Sequence, residues 1–134
     1  MNSASEDIKD ILAADSSLGL TYATDLFIGR EPAEHTYSNS VTIFDTSTQS
    51  PQLTLAGQGE DYDYTSIQIR VRNNKYITGW ALIQNIKTAL HGLGQVTQGG
   101  TLYSLVYCSS GPALLDWDEN NRARFIINFN IQRR

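Results

Sequence analysis

Apolar and polar residues alternate most regularly in the second half of the chain. From Thr65 to Arg72, Ile67, Ile69 and Val71 project one way and Gln68, Arg70 and Arg72 the other, the two-residue period of a strand that covers a core on one side only. The last strand repeats the pattern at greater length. Ala123, Phe125, Ile127, Phe129 and Ile131 share one face, and Arg124, Ile126, Asn128, Asn130 and Gln132 share the other, which is polar enough for water and flat enough for a neighbouring subunit. Between these strands the period changes to that of a helix. From Ile77 to His91, Trp80, Ile83, Ile86 and Leu90 form an apolar stripe broadened by Leu82 and Ala89, with a turn at Asn73-Asn74-Lys75 before it and Gly92 placed to stop it. One helix cannot bury its own stripe, so this one must lie on the sheet face made by Ile67, Ile69, Val71 and the Phe125 side of the last strand.

The remaining signals are shorter. Ser3 and Glu6 are spaced for a capping box at the start of a short helix with Ile8, Ile11 and Leu12 on its inner face, ended by Asp15 to Gly19. Leu26–Ile28 and Val41–Phe44 read as strands. Leu102–Cys108 reads as another, bent or broken at Ser109 to Pro112 and continued by Ala113–Trp117 towards a turn at Glu119 to Asn121. Residues 45–63 read as a long polar loop in which Gln52–Leu55 could pair briefly, and a compact domain rarely spends that much chain without use, so this loop (46–63) or its flanks are expected to meet a partner. The expectation is one α+β domain over residues 1–134: a mixed, largely antiparallel sheet, a main amphipathic helix packed on one face and a short N-terminal helix.

With 134 residues, 40% of them hydrophobic and 18% charged, the chain suits one core and not two. No stretch reaches the roughly 18 apolar residues of a membrane helix, and the N-terminus has neither a basic leader nor an apolar run, so no membrane partner or secretory signal is expected. A single cysteine, Cys108, excludes an internal disulfide framework and a cysteine-rich zinc site, and reads as a small buried hydrophobe. The net charge of -4 conceals a division. Residues 1–63 carry 11 acids against Lys9 and Arg30, whereas residues 64–134 carry 3 acids against 8 bases. Either the fold keeps unlike charges on opposite sides, which favours ordered head-to-tail association, or it brings them together and cancels them.

Candidate chemistry is sparse. Glu60, Asp61, Asp63 and Asp116, Asp118, Glu119 are the acidic groups that could hold a divalent metal for a small hydrolase, but such clusters are common in solvated turns and nothing at diagnostic spacing completes a site. His91 falls at a helix end, where a partly positive imidazole suits the terminal carbonyls, and His35 falls in a polar loop without a nucleophile. The glycines at 92, 94, 99 and 100 follow a helix, whereas a phosphate-binding loop leads a strand into one, so turn geometry explains them and no cofactor is expected. Arg70, Arg72, Arg122, Arg124, Arg133 and Arg134 could meet phosphates or the acids of another copy. The acidic total and the lack of a ladder of aromatic and basic residues weigh against sequence-specific nucleic-acid reading. Tyr62 and Tyr64 form an aromatic pair suited to an interface, to loop closure or to the core.

The run Tyr62 to Arg72, the helix from Gly79 to Gly92 and the closing stretch Asp116 to Asn130, taken in that order, resemble phage minor capsid proteins of the tail-terminator type, part of the head–tail joining machinery of long-tailed bacteriophages. The likeness is good over residues 60–134 and weaker from Leu26 to Asp45. It implies a non-enzymatic virion protein without cofactor, present at the head–tail junction and in the host cytoplasm during assembly. It further implies a ring, usually hexameric, that caps the tail tube, meets the tube protein and the head completion or connector protein, and surrounds passing DNA without reading it. On that footing Arg70, Arg72 and Arg124, with Asn128 and Asn130, are expected at subunit interfaces. Tyr62, Tyr64, Glu60 and Asp61 are expected against another tail component. The rival readings are a metal-dependent hydrolase using Asp116 and Asp118, and a monomeric domain that captures a peptide along a sheet edge.

Overall fold

The computed structural model describes residues 1–33, 38–48 and 62–134. Within them the chain forms helix α1 (Ala4–Ala14), strands β1 (Leu26–Ile28), β2 (Ser40–Thr48) and β3 (Asp63–Asn73), helix α2 (Tyr76–Leu90), and strands β4 (Val96–Gln98), β5 (Thr101–Trp117) and β6 (Ala123–Arg133). The strands make one sheet in the order β1-β2-β3-β6-β5-β4. Only the β1–β2 pair is parallel. This is the α+β class expected from the alternation.

The regular strands β3 and β6 lie side by side at the centre. Ile67 pairs with Phe129, Ile69 with Ile127 and Val71 with Phe125, so two independent apolar alternations fall on the same face and reinforce each other. Both helices cover that face. α2 contributes Ile83, Ile86 and Leu90, and α1 contributes Ile8 and Leu12, all fully buried, with Trp80, Leu82 and Ile11 at the margin. α2 approaches closely at Gly79, where an added Cβ would stand 2.8 Å from the Phe125 ring. Trp80 and Tyr76 meet the same ring edge-on.

The caps follow the sequence signals. Ser3 accepts the Glu6 N–H at 3.3 Å, and the α1 N-terminus is also tied to β2, because the Asp45 carboxylate accepts the Ser5 N–H at 3.0 Å and the Ser5 hydroxyl at 2.6 Å. At the end of α2, His91 is the cap residue and Gly92 follows at φ +85°.

Three boundaries differ from the expectation. β2 runs on to Thr48, because Asp45, Ser47 and Thr48 continue to pair with β3 past an irregularity at Asp45/Ser47. Polar residues suffice there, since this end of β2 is exposed and needs backbone pairing rather than apolar cover. The expected loop at 46–63 is therefore shorter at both ends, while the proposed pairing of Gln52–Leu55 lies outside the described residues. β4 was hidden among glycines: Val96–Gln98 turns back onto β5 through Gly99 and Gly100. The suspected break in β5 is a bend within one strand, with register shifts either side of Ser110. Gly111 permits it, at φ +88° and so close to β6 that a Cβ would stand 2.9 Å from the Ile126 carbonyl oxygen.

A buried polar knot joins the chain ends to the β4–β5 hairpin. The Tyr103 hydroxyl donates to Asp7 Oδ2 at 2.6 Å and accepts from Arg133 Nη1 at 3.1 Å. Arg133 also donates to Asp63 at 2.8 Å and to the Asn2 carbonyl at 3.0 Å. Burial, reinforced by the Asp7 hydrogen bond, pushes the Tyr103 hydroxyl well above its ordinary pKa, so it remains a donor. Thus an acid of the first half and an arginine of the second are neutralised inside one subunit, the cancelling alternative for the divided charge.

Candidate functional site

The face of the sheet away from the helices carries most of the expected interface residues. Since β3 and β6 alternate, burying Ile67 to Val71 and Phe125 to Ile131 turns Tyr64, Ser66, Gln68 and Arg70 outward beside Arg124, Ile126, Asn128 and Asn130. These side chains form a hydrogen-bonded lattice. Ser66 donates to Asn130 at 2.7 Å and Gln68 to Asn128 at 3.2 Å; on the other side Asn128 donates to Ser110 at 2.9 Å and Asn130 to the Tyr107 hydroxyl at 3.3 Å. Each asparagine thereby joins three strands. A small cleft of about 130 Å³ opens near Tyr64, Ser66, Tyr107 and Asn130.

At the opposite end of this face the positive charge is answered within the chain. Glu31, just after β1, lies 3.3 Å from Arg124 and 3.8 Å from Arg70, while Arg124 donates to Asp116 at 2.6 Å. The hydrogen bond from Arg124 holds the Asp116 carboxyl below the ordinary carboxylate value. Arg70 also donates to Gln68 at 2.9 Å and lies over the Phe44 ring. Arg72 is 2% exposed and donates to the Pro32 carbonyl at 3.3 Å, so it belongs to the packing of its own subunit. What this face offers a neighbour is mainly amide and hydroxyl groups.

Tyr62 and Tyr64 stand together at the margin with ring centroids 6.4 Å apart, and Arg134 lies over Tyr62 and donates to its hydroxyl at 3.1 Å. Glu60, Asp61 and His35 lie outside the described residues. His91 stands at the helix end as the C-cap residue, and its Nδ1 accepts the Cys108 N–H at 2.9 Å, so the ring links α2 to β5. Cys108 is half-buried at the edge of the core.

The acidic turn after β5 is structural. Asp118, 4% exposed at its side chain, accepts the backbone N–H groups of Asn120 and Arg122, each at 2.9 Å, and the Arg122 guanidinium at 2.8 Å. Burial alone would raise its pKa, but these donors outweigh burial and hold the carboxyl below the ordinary value. Asp116 and Asp118 therefore serve different arginines. Among the described residues no three His, Cys, Asp or Glu side chains are grouped to hold a metal ion, and no helix is long and apolar enough to cross a membrane.

Residues 15–134 match the family model described as bacteriophage tail terminator protein. The chain belongs to that family. Its role is accordingly structural, in the tail of a virion. Among curated proteins there is no match. Of solved structures, a chain of the "Virion of native gene transfer agent (GTA) particle" has a TM-score of 0.67 over 96% of this chain and 92% of that one, at 12% identity, a likeness of fold. The tail-terminator match begins after α1, although α1 supplies Ile8, Leu12 and Asp7 to the interior.

Sequence reasoning missed one feature at the edge of the sheet. Past Ser110, β5 has β6 on one side and no described strand on the other, and it exposes Leu114, Leu115 and Trp117 at 40–50%. Tyr76 stacks on Trp117, and Ile77 beside it is 82% exposed. The apolar composition of Ala113 to Trp117 was the available signal, but by itself it reads as a buried strand.

Proposed function

We propose that this chain assembles as a ring, hexameric in the finished particle, on the head-proximal end of the tail tube. There it stops tube polymerisation and presents a docking face to the head completion or connector protein. It acts without catalysis or cofactor, encircles DNA without reading its sequence, and passes through the host cytoplasm before joining the virion. The family match over residues 15–134 carries this reading, and the polar outer face of the sheet supports it. In this proposal Asn128 and Asn130, flanked by Arg70 and Arg124, form a polar contact surface towards virion neighbours, and Tyr62 and Tyr64 contact a tail component together with Glu60 and Asp61. Arg72, buried in its own subunit, supports that surface from within.

The test is to mix the chain with its cognate tube protein while the tube polymerises. Electron microscopy should show a ring on one end of each tube and a narrow distribution of tube lengths. Tubes that grow to indefinite length, with the chain remaining monomeric by light scattering across a concentration series, would refute the proposal.

A further inference from the structure

We propose that neighbouring copies join rim to rim, with the open half of β5 in one subunit receiving the β1 rim of the next. This rests on the ring reading above and assigns the copy-to-copy joint to the sheet edges, leaving the polar outer face to other contacts. The argument starts from the outline of the sheet. Among the described residues each edge is widened by a three-residue strand along only part of its length. β1 covers Val41–Ile43 of β2, and β4 covers Thr101–Tyr103 of β5. Register places these two strands towards opposite ends of the sheet. Leu114 pairs with Phe125, Phe125 with Val71, Val71 with Val41 and Val41 with Leu26, so the open half of β5 stands at the same height as β1 on the far edge. When copies are set side by side in one orientation, the projecting β1 of one enters the recess beside β5 of the next.

Chain direction agrees with this placement. β1 runs with β2, and β2, β3, β6 and β5 alternate, so an incoming β1 is antiparallel to β5. The chemistry agrees as well. The recess presents Leu114, Leu115 and Trp117, extended by Tyr76 and Ile77, and the β1 rim brings Tyr22, itself 50% exposed, with half-buried Phe27 close by. A rim this apolar, beside a strand that no described strand covers, is an association site unless something occupies it. Pro112 has no N–H to donate, and on β1 the outward N–H and C=O of Leu26 are already bonded to Thr21 and Ala23, so the joint is made by apolar side chains of the two rims and not by a continued backbone ladder. The joint is heterologous, using two different rims of each subunit, the kind that closes into a ring when the rotation between copies permits. Pairing of β5 with β5 would instead give a two-fold dimer and leave β1 unused.

The test uses the full chain with Cys108→Ser and one new cysteine on each rim, Leu115→Cys and Tyr22→Cys, both at exposed positions within one residue of matched height, since Tyr22 bridges to Leu26. Oxidation of the doubly substituted chain, alone at rising concentration and on tube ends, should give a ladder of covalent oligomers ending at the ring size. Either single variant should stay monomeric on a denaturing gel, and a mixture of the two should give one dimer band. As a second measure, Leu115→Asp should weaken self-association at least tenfold without lowering the melting temperature. Rings or capped tubes that form without the ladder, or a dimer of Leu115→Cys with itself, would overturn the rim joint and leave the ring reading standing. Neither rings nor capping would overturn both.

Discussion

Strand β5 runs beside β6 from end to end, yet its two halves meet different surroundings. In the first half Tyr103 and Val106 are fully buried, although Leu105 and Tyr107 on the other face are 40% exposed: Tyr103 pairs with Val96 of β4 and bonds Asp7 of α1, and Val106 pairs with Leu93 just after α2. In the second half Leu114, Leu115 and Trp117 are each at least 40% exposed. Both halves are apolar and both keep their hydrogen bonds to β6. Burial in an edge strand is thus decided by what stands over it and beside it, and the same composition makes a core in one place and a rim in the other.

The comparison breaks most visibly at Tyr103. Tyr103→Ala should cost about 3–5 kcal/mol by urea denaturation, since it empties a packed site, and Tyr103→Phe, which removes the donor to buried Asp7, about 1–3 kcal/mol. A neutral Tyr103→Phe would mean that the knot contributes nothing. The turn at the far end of β5 comes next. The folded pKa of Asp118 is lowered, so its stabilisation is present above the ordinary carboxyl value of 3.8 and is lost as pH falls through the folded value. Asp118→Asn should cost about 1–3 kcal/mol at neutral pH and flatten the acid limb of a pH titration of stability. An unchanged acid limb would rule out this role.

Smaller effects are expected on the outer face and the rim. Asn128→Ala removes hydrogen bonds to Gln68 and Ser110 and should lower stability by about 0.5–1.5 kcal/mol, measured by thermal melting. Leu115→Ser should change folding stability by no more than about 1 kcal/mol, because 40% of its surface is already open to solvent in the subunit. A larger loss would show that the rim stabilises the fold itself, and the contrast between the two halves would fail.

Much of the fold was legible because β3, β6 and α2 have unambiguous periods. Ile67 to Val71 and Phe125 to Ile131 mark one face at spacing two, and Ile83, Ile86 and Leu90 mark another at helical spacing. β4 was not legible, since three residues between glycines carry no period. The far end of β2 was not either, because Asp45 to Thr48 are held by backbone pairing and not by apolar burial. The outer face was legible as polar. That Arg70 and Arg124 are answered by Glu31 and Asp116, and that Arg72 and Arg133 are buried, depends on partners distant in sequence.

The sequence by itself determined which side of each central strand is apolar, where α2 begins and ends, and that the core is an α-on-β layer, because these follow from the local period and from the need to hide an apolar face. Only the tertiary structure decided the order of strands, the internal neutralisation of the two unlike halves of the chain, and the exposure of the second half of β5. Those outcomes depend on which distant segments arrive as neighbours, and a neighbour's presence or absence leaves no periodic mark on the strand that receives it.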